Sequence, residues 1–354
     1  MSPWFFLSNV EERQSVRFSS SRVNVPWMGQ TDTGLSWSLV RMHLAKMKEI
    51  KHDRFIVVLY ANLITQGHMM PQPTPQAVIE SQRADWNRVA SGWEKWDQLF
   101  DDNMAFLNHR LVSDVRVRRG MHILDLGSGT GYPALLTAQA VGSAGSVTGL
   151  DLAESMLTVA QRKATGLGLR NVTFRTADVT MLPFEASSFD AVISRFCLMF
   201  LPDIPQAVTE TTRVLKPGGY VAAAVWSMPE KNPYLRIPMD VIKQFIDLPA
   251  FDPAAPGIFR LAKPGDLAGM LQQGGLHDVT EQELFSEVQF LSPQEYVTSL
   301  MDIAAPIQNV WAKLSASQQR DAELRILQTV ESYRRGKIFA LPIAVRIVSG
   351  RKPV

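Results

Sequence analysis

Residues 122–133 read His122-Ile123-Leu124-Asp125-Leu126-Gly127-Ser128-Gly129-Thr130-Gly131-Tyr132-Pro133. The apolar run that opens this stretch has the character of a buried parallel strand. A glycine-rich turn follows at once. Then comes Ala134-Leu135-Leu136-Thr137-Ala138-Gln139-Ala140, which reads as a helix. Strand, Gly-x-Gly-x-Gly turn and helix together form the first unit of a nucleotide-binding α/β domain. Glycines there reach backbone angles closed to other residues, and without Cβ atoms they let a ligand lie against the main chain. A tight turn also uses glycine, so the stretch alone leaves a purely structural role open.

The neighbouring segments narrow that choice. A second strand, Ser146-Val147-Thr148-Gly149-Leu150, ends in Asp151. That acid lies about 20 residues beyond the last glycine, where a ribose-binding carboxylate belongs. A third strand, Val172-Thr173-Phe174-Arg175, runs into Thr176-Ala177-Asp178-Val179. Ser188-Phe189-Asp190-Ala191-Val192-Ile193-Ser194 and Arg213-Val214-Leu215-Lys216-Pro217-Gly218-Gly219-Tyr220 continue the alternation.

This series resembles the class I S-adenosylmethionine (SAM)-dependent methyltransferases. The loop is Gly-x-Gly-x-Gly with Asp125 two residues ahead, not the Gly-x-Gly-x-x-Gly of dinucleotide enzymes. SAM has no pyrophosphate, so a longer phosphate-binding entrance is not required. The resemblance implies a Rossmann-like α/β fold: a seven-stranded, mostly parallel sheet with helices on both faces and helical substrate-lid insertions. It also implies roles. The backbone at Gly127, Gly129 and Thr130 passes under the methionine and ribose, with Asp125, Ser128 and Gly131 in the same loop. Asp151 accepts the ribose hydroxyls, with Leu152 and Met156 beside it, and Asp178 accepts the adenine amino group, with the Val179 N–H on the ring. Ser194 and Arg195, at the end of the fourth strand, complete the cofactor set.

Composition bounds the function. At 354 residues and 46% hydrophobic content the chain can bury a large core, and its length suggests roughly two domains. A net charge of +2 gives no electrostatic case for a nucleic-acid partner. The single cysteine, Cys197, rules out an internal disulfide framework and fits a reducing, cytoplasmic location. The six histidines show no metal-ligand spacing, so no metal is expected. The apolar run at 55–64 is too short to span a bilayer, which takes about 20 residues. The expected partners are a small-molecule methyl acceptor and, as a homodimer, a second copy of the chain.

Residues 1–68 differ from the rest. They combine Ser19-Ser20-Ser21, mixed charge, a candidate amphipathic helix at 39–47 and a β-rich run at 55–60. At Met69-Met70 the text changes to Pro71-Gln72-Pro73-Thr74-Pro75. The expectation is that the functional protein starts near Met69 or Met70, with a regulatory or dimerisation arm as the competing reading. Residues 69–120 read as a helical cap. Trp86, Trp93 and Trp96, spaced by seven and three, share a helical face. They serve either core packing or closure over the cofactor, whose sulfonium aromatic faces attract by roughly 0.5–2 kcal/mol. A second helix is expected at 103–112. Residues 121–231 form the cofactor-binding core, and 232–338 carry the substrate-side insertions. Within the insertions a helix is expected at 264–273, a strand at 277–290 and further helices from 292 to about 336. The final segment, 339–354, holds the last strand, at 341–348.

Ligands in open α/β sheets sit beyond the carboxyl ends of the strands. Arg195 and Phe196 should therefore face the reaction centre, and Trp226 and Asn232 the acceptor. The Ser194-Arg195-Phe196-Cys197 stretch is similar to the ubiquinone/menaquinone C-methyltransferase (UbiE-like) group, where the position of Arg195 is usually Ser or another small polar residue. Arg195 either binds an acidic or phenolate acceptor oxygen or forms a structural ion pair with Asp203 or Glu210. Methyl transfer needs alignment and water exclusion, and a general base only if the acceptor must lose a proton. No residue stands out as that base; His109 and Arg195 are the candidates. The expected activity is methyl transfer (EC 2.1.1.-) to a small apolar or aromatic acceptor at carbon or oxygen. The rival reading is a non-catalytic SAM-binding subunit of another enzyme.

Overall fold

The computed structural model describes residues 74–248, 252 and 254–354, together with the backbone of two short strands before them. The chain separates into two compact units, Met1–Pro73 and Thr74–Val354. In the first unit, β1 (Ser15–Phe18) pairs antiparallel with β2 (Ser21–Asn24). The expected helix at 39–47, the strand at 55–60 and the start near Met69 lie outside the described residues.

The second unit is an α/β fold with a mixed sheet. It opens with α1 (Pro75–Lys95), whose first turn is closed by the Thr74 hydroxyl accepting from the Ala77 amide and by Pro75 at the first helical position. Then follow α2 (Asp97–Asp114), β3 (His122–Leu126), α3 (Ala134–Val141), β4 (Ser146–Asp151), α4 (Glu154–Gly166), β5 (Val172–Thr176), β6 (Phe189–Arg195), α5 (Ile204–Val214) and β7 (Leu215–Trp226). The late part adds α6 (Pro233–Ile242), α7 (Asp266–Gln273), β8 (His277–Phe290), α8 (Pro293–Ile303), α9 (Ala305–Trp311), α10 (Ala316–Glu331), β9 (Arg334–Arg335) and β10 (Ile338–Arg351).

The strands lie in the order β5-β4-β3-β6-β7-β10-β8, with β9 paired to β10 off this path. Neighbours from β5 to β7 are parallel, and β10 runs antiparallel to both β7 and β8. Seven strands thus form the continuous path, and the two-residue β9 adds an eighth that no local pattern announces. The chain runs outward from β3 through α3 and α4 in one direction and from β6 through α5 in the other, and right-handed crossovers place such helices on opposite faces. Ile123, Leu124 and Leu126 of β3, Ala191 to Ile193 of β6 and Val221 to Val225 of β7 are buried, as a sheet covered on both faces requires.

Several boundaries differ from the sequence reading. Helix α2 begins at Asp97, a turn and a half ahead of the expected start, because Trp96 only caps α1 before the chain re-enters helix. Helix α7 begins at Asp266, since Gly265 is left-handed (φ 85°). Strand β10 spans Ile338–Arg351, longer at both ends than 341–348, because it pairs with two long neighbours. The chain order turns back between β3 and β6, and there the crevice beyond the strand ends lies.

Candidate functional site

The β3–α3 loop is held open by its glycines. Gly127 has φ 72°, and a Cβ on it would lie 2.4 Å from the Cys197 Cβ. Gly129 has φ 51°, and nothing lies within 4 Å of the space its Cβ would take. The first glycine lets the β6 end pack under the loop; the second leaves bare backbone facing open space. The Ser128 amide donates to the Leu150 carbonyl (2.8 Å) and its hydroxyl to the Asp125 carbonyl (3.2 Å). Gly131 N–H closes on the Ser128 carbonyl at 2.8 Å.

Asp151 ends β4 and faces this loop. Its Oδ2 accepts from the Gly129 amide and its Oδ1 from the Ala153 amide, both at 2.9 Å. Burial pushes its pKa up, while the Ala153, Gly129 and Leu152 amides pull the other way. Asp178, beyond β5, accepts the Thr180 amide and hydroxyl on Oδ1, both at 2.8 Å. Val179 beside it is buried, as is Met156 on α4, and Leu152 is half-buried.

Asp125 is wholly buried, and neither of its carboxylate oxygens has a hydrogen-bond partner. Its pKa is pushed up to about 7, chiefly by burial. The cation that acts on it, Arg195, donates instead to Asn108 Oδ1 at 2.9 Å. Arg195 forms neither of the ion pairs considered from sequence: Glu210 is taken by Arg213, and Asp203 caps α5 through the Gln206 amide. Burial lowers the Arg195 pKa, and the acids around it oppose that shift.

The residues facing Arg195 from α2 were missed by sequence reasoning. Asp97, Asp101, Met104, Asn108 and Leu111 share one helical stripe by spacing. Asn108 is 2% exposed within that stripe. Asp97 accepts from Lys163 Nζ at 2.6 Å and from the Thr130 hydroxyl at 3.5 Å. Lys163 stands 4.1 Å over the Tyr132 ring, and the Tyr132 hydroxyl is raised to about 12 by burial and then by Asp101 and Asp97. Polar residues recurring on an otherwise apolar helix face were the signal available in the sequence.

Helix α1 packs against the β4–α4 corner. Trp86 and Trp93 pack on Val89, Ala90, Ala153, Met156 and Ala305, which joins the cap to the β4–α4 corner. Trp86 meets Phe200 edge-on at 5.3 Å, and Gln82 donates to the Phe200 carbonyl at 2.6 Å. The Asn87 side chain accepts the Ser155 amide at the start of α4 (2.9 Å). The Trp93 indole N–H is buried with no partner. Trp96 turns away, donating to Asp302 on α8 at 2.8 Å.

On the far side of the crevice Phe196 has φ 59°, a left-handed conformation that a non-glycine residue rarely adopts. Its ring lies flat on Trp226, with centroids 4.2 Å apart and planes within 5°. Trp226 leads through Tyr234 to Phe290 and Tyr296 under the late helices. Three expectations take a different place here. Asn232 is fully buried, and its amide is spent on the Ser227 and Met228 carbonyls and the Ala344 amide, so it staples the loop after β7 to β10. The Ser194 hydroxyl donates to the Leu126 carbonyl at 3.1 Å and ties β6 to β3. His109 is exposed on α2, while its neighbour Asn108 turns inward. Burial drives the Cys197 thiol far up, so it stays protonated. Among the described residues no three potential metal ligands cluster, and no helix is long and apolar enough to cross a membrane.

Residues 124–223 match the family model described as a methyltransferase domain. A demethylmenaquinone methyltransferase of Staphylococcus aureus (strain MRSA252) is 40% identical over 141 residues, covering 38% of this chain and 57% of that protein. Its counterpart in strain JH9 is 39% identical over the same length. The chain thus spans 57% of the length of these curated relatives. Among solved structures, the YcgJ protein of Bacillus subtilis superposes with a TM-score of 0.47 at 20% identity, covering 71% of this chain and 99% of that one. A methyltransferase-like protein of Bacillus halodurans C-125 gives a TM-score of 0.47 at 20% identity, covering 70% and 99%. The middle of the chain is therefore similar to methyltransferase domains.

Proposed function

We propose that the protein is a SAM-dependent methyltransferase acting on a small apolar or aromatic acceptor. The observation that carries this reading is the row of three acids, Asp125, Asp151 and Asp178, at the ends of β3, β4 and β5 around a left-handed glycine loop. The residues present fit the cofactor. Gly129 leaves open space against the backbone, and the orphaned Asp125 carboxylate suits a cationic ligand. When bound, SAM supplies a methyl group on a sulfonium, open to in-line displacement by the acceptor.

The chain's own residues then bind, orient and exclude water. Asp151 keeps lone pairs for ribose hydroxyls beyond the two amides it already accepts, and the free oxygen of Asp178 is the partner for an adenine amino group. Trp86 and Trp93 close the crevice from α1, sealing the reacting atoms from solvent. Arg195, steered by Asn108, presents its remaining donors to the ligand. The Phe196–Trp226 pair offers a flat apolar wall to the acceptor. The S. aureus relatives are named for demethylmenaquinone, which makes the reduced form of that compound the first acceptor to offer.

The test is transfer of a labelled methyl group from SAM, first to reduced demethylmenaquinone and then to lipid and small-molecule fractions of source cells. Label in the organic phase supports the reading. Label in macromolecules overturns the small-molecule acceptor. SAM binding without transfer to any fraction favours a non-catalytic SAM-binding subunit.

A further inference from the structure

Asp125 stands apart from every other acid in the crevice. Asp151 is satisfied by two amides, Asp178 by Thr180, and Asp97 by Lys163. Asp125 has no donor on either oxygen. The groups that face it are accounted for one by one. In its own loop the Ser128 hydroxyl is turned to the Asp125 backbone carbonyl. From α3 the Ala134 amide lies near without reaching hydrogen-bond geometry. From β6 Arg195 faces it but is held by Asn108, and from β4 the Asp151 carboxylate adds a like charge. Beyond Arg195, the acids Asp97 and Asp101 of α2 share the field of that one guanidinium.

An ionised carboxylate buried without donors is costly, so such a group keeps its proton instead. A cationic ligand entering the crevice reverses that preference.

We propose that Asp125 is a neutral carboxylic acid in the ligand-free protein and gives up its proton when SAM binds, making cofactor binding a proton-releasing step. This rests on the cofactor assigned above. The balance is simple: the carboxyl O–H bond breaks, the proton leaves to the buffer, and the carboxylate remains beside the ligand's positive charge. SAM carries a sulfonium and an ammonium against one carboxylate, so its net charge is positive. Asp125 thereby becomes a charge-reading group, favouring the sulfonium form over the neutral demethylated product.

The experiment is calorimetric titration of the full-length protein with SAM at about pH 6, in buffers of different ionisation enthalpy. A slope near one released proton, shrinking toward zero by about pH 8, is the expected result. The slope should vanish in Asp125→Asn and persist in Asp101→Asn, which removes another acid of the crevice whose pKa burial raises. S-adenosylhomocysteine, lacking the sulfonium, should release fewer protons. Should Asp125→Asn fail to fold, infrared difference spectra of the wild type serve: SAM should bleach one carboxylic C=O band. Measurable binding with no proton slope and no bleached band overturns the inference and leaves the cofactor standing. A slope undiminished in Asp125→Asn overturns it as well. Absence of SAM binding at every pH overturns the cofactor reading, and the inference with it.

Discussion

Replacing Gly127 by alanine probes the contact on which the crevice is built. Two costs apply. The residue must stay left-handed at φ 72°, which burdens an L-residue by roughly 1–2 kcal/mol. Its new Cβ must also find room where Cys197 Cβ lies 2.4 Å and Sγ 2.7 Å away. Overpacking of that kind costs roughly 1–3 kcal/mol. The sum is about 2–5 kcal/mol of destabilisation. The two parts separate in a double-mutant cycle. In a Cys197→Gly background the obstructing atoms are gone, so Gly127→Ala should cost only the backbone part, and the coupling should be about 1–3 kcal/mol. The assay is guanidinium unfolding of all four proteins, followed by circular dichroism and extrapolated to water. Coupling below about 0.5 kcal/mol would refute the claim that the β6 end is wedged under the loop. Charge does not confound the cycle, because the buried thiol stays neutral.

Four further outcomes are expected. Asp151→Ala should weaken SAM binding by roughly 1–3 kcal/mol, measured by calorimetry, since it strands ribose hydroxyls and two loop amides; unchanged affinity would remove Asp151 from the site. Asp125 has its pKa raised to about 7, so between the unfolded value near 3.8 and that point the unfolded state holds fewer protons and stability falls as pH rises. At about 1.4 kcal/mol per unit this reaches at most about 4 kcal/mol, and Asp125→Asn should flatten the denaturation midpoint across that window. Asn232→Ala should destabilise by about 2–3 kcal/mol in urea, because the Ala344 amide and two carbonyls lose their partner; a loss near zero would mean water replaces the amide. Gly92→Ala, which elsewhere in a helix would stabilise by about 1 kcal/mol, should lower the melting temperature, since its Cβ would lie 2.1 Å from the Asp302 carbonyl oxygen of α8.

The glycine loop and the acids after β4 and β5 were legible because each needs a particular residue type at a particular distance from a strand. Strand β8 was legible to the residue, bounded by Gly274-Gly275 before it and Pro293 after. The polar stripe on α2 was hidden by Met104 and Leu111, which share its face, and its inward turn meets Arg195, 87 residues away from Asn108. Asn232 was misplaced for a related reason. Its position just after a strand end suits a ligand contact, yet what fixes its amide is the backbone of β10, brought alongside only by the sheet order. Strand β9 is two residues long and follows from pairing with β10, not from any local pattern. Local chemistry survives in sequence; partnerships across the sheet do not.

The left-handed residue at 196 sends three consecutive side chains into three neighbourhoods: Arg195 to Asn108 among the acids of α2 and β3, Phe196 onto Trp226 and Cys197 beneath Gly127. Under the proposed function, this one torsion angle is a shared setting for the donor side of the crevice and for the wall offered to the acceptor. Relaxing the kink to retune that wall would also disturb the packing of Cys197 beneath Gly127. Substitution at Trp226, which touches the ring but not the kink, is the cheaper evolutionary route, and there divergence among descendants of this chain should concentrate.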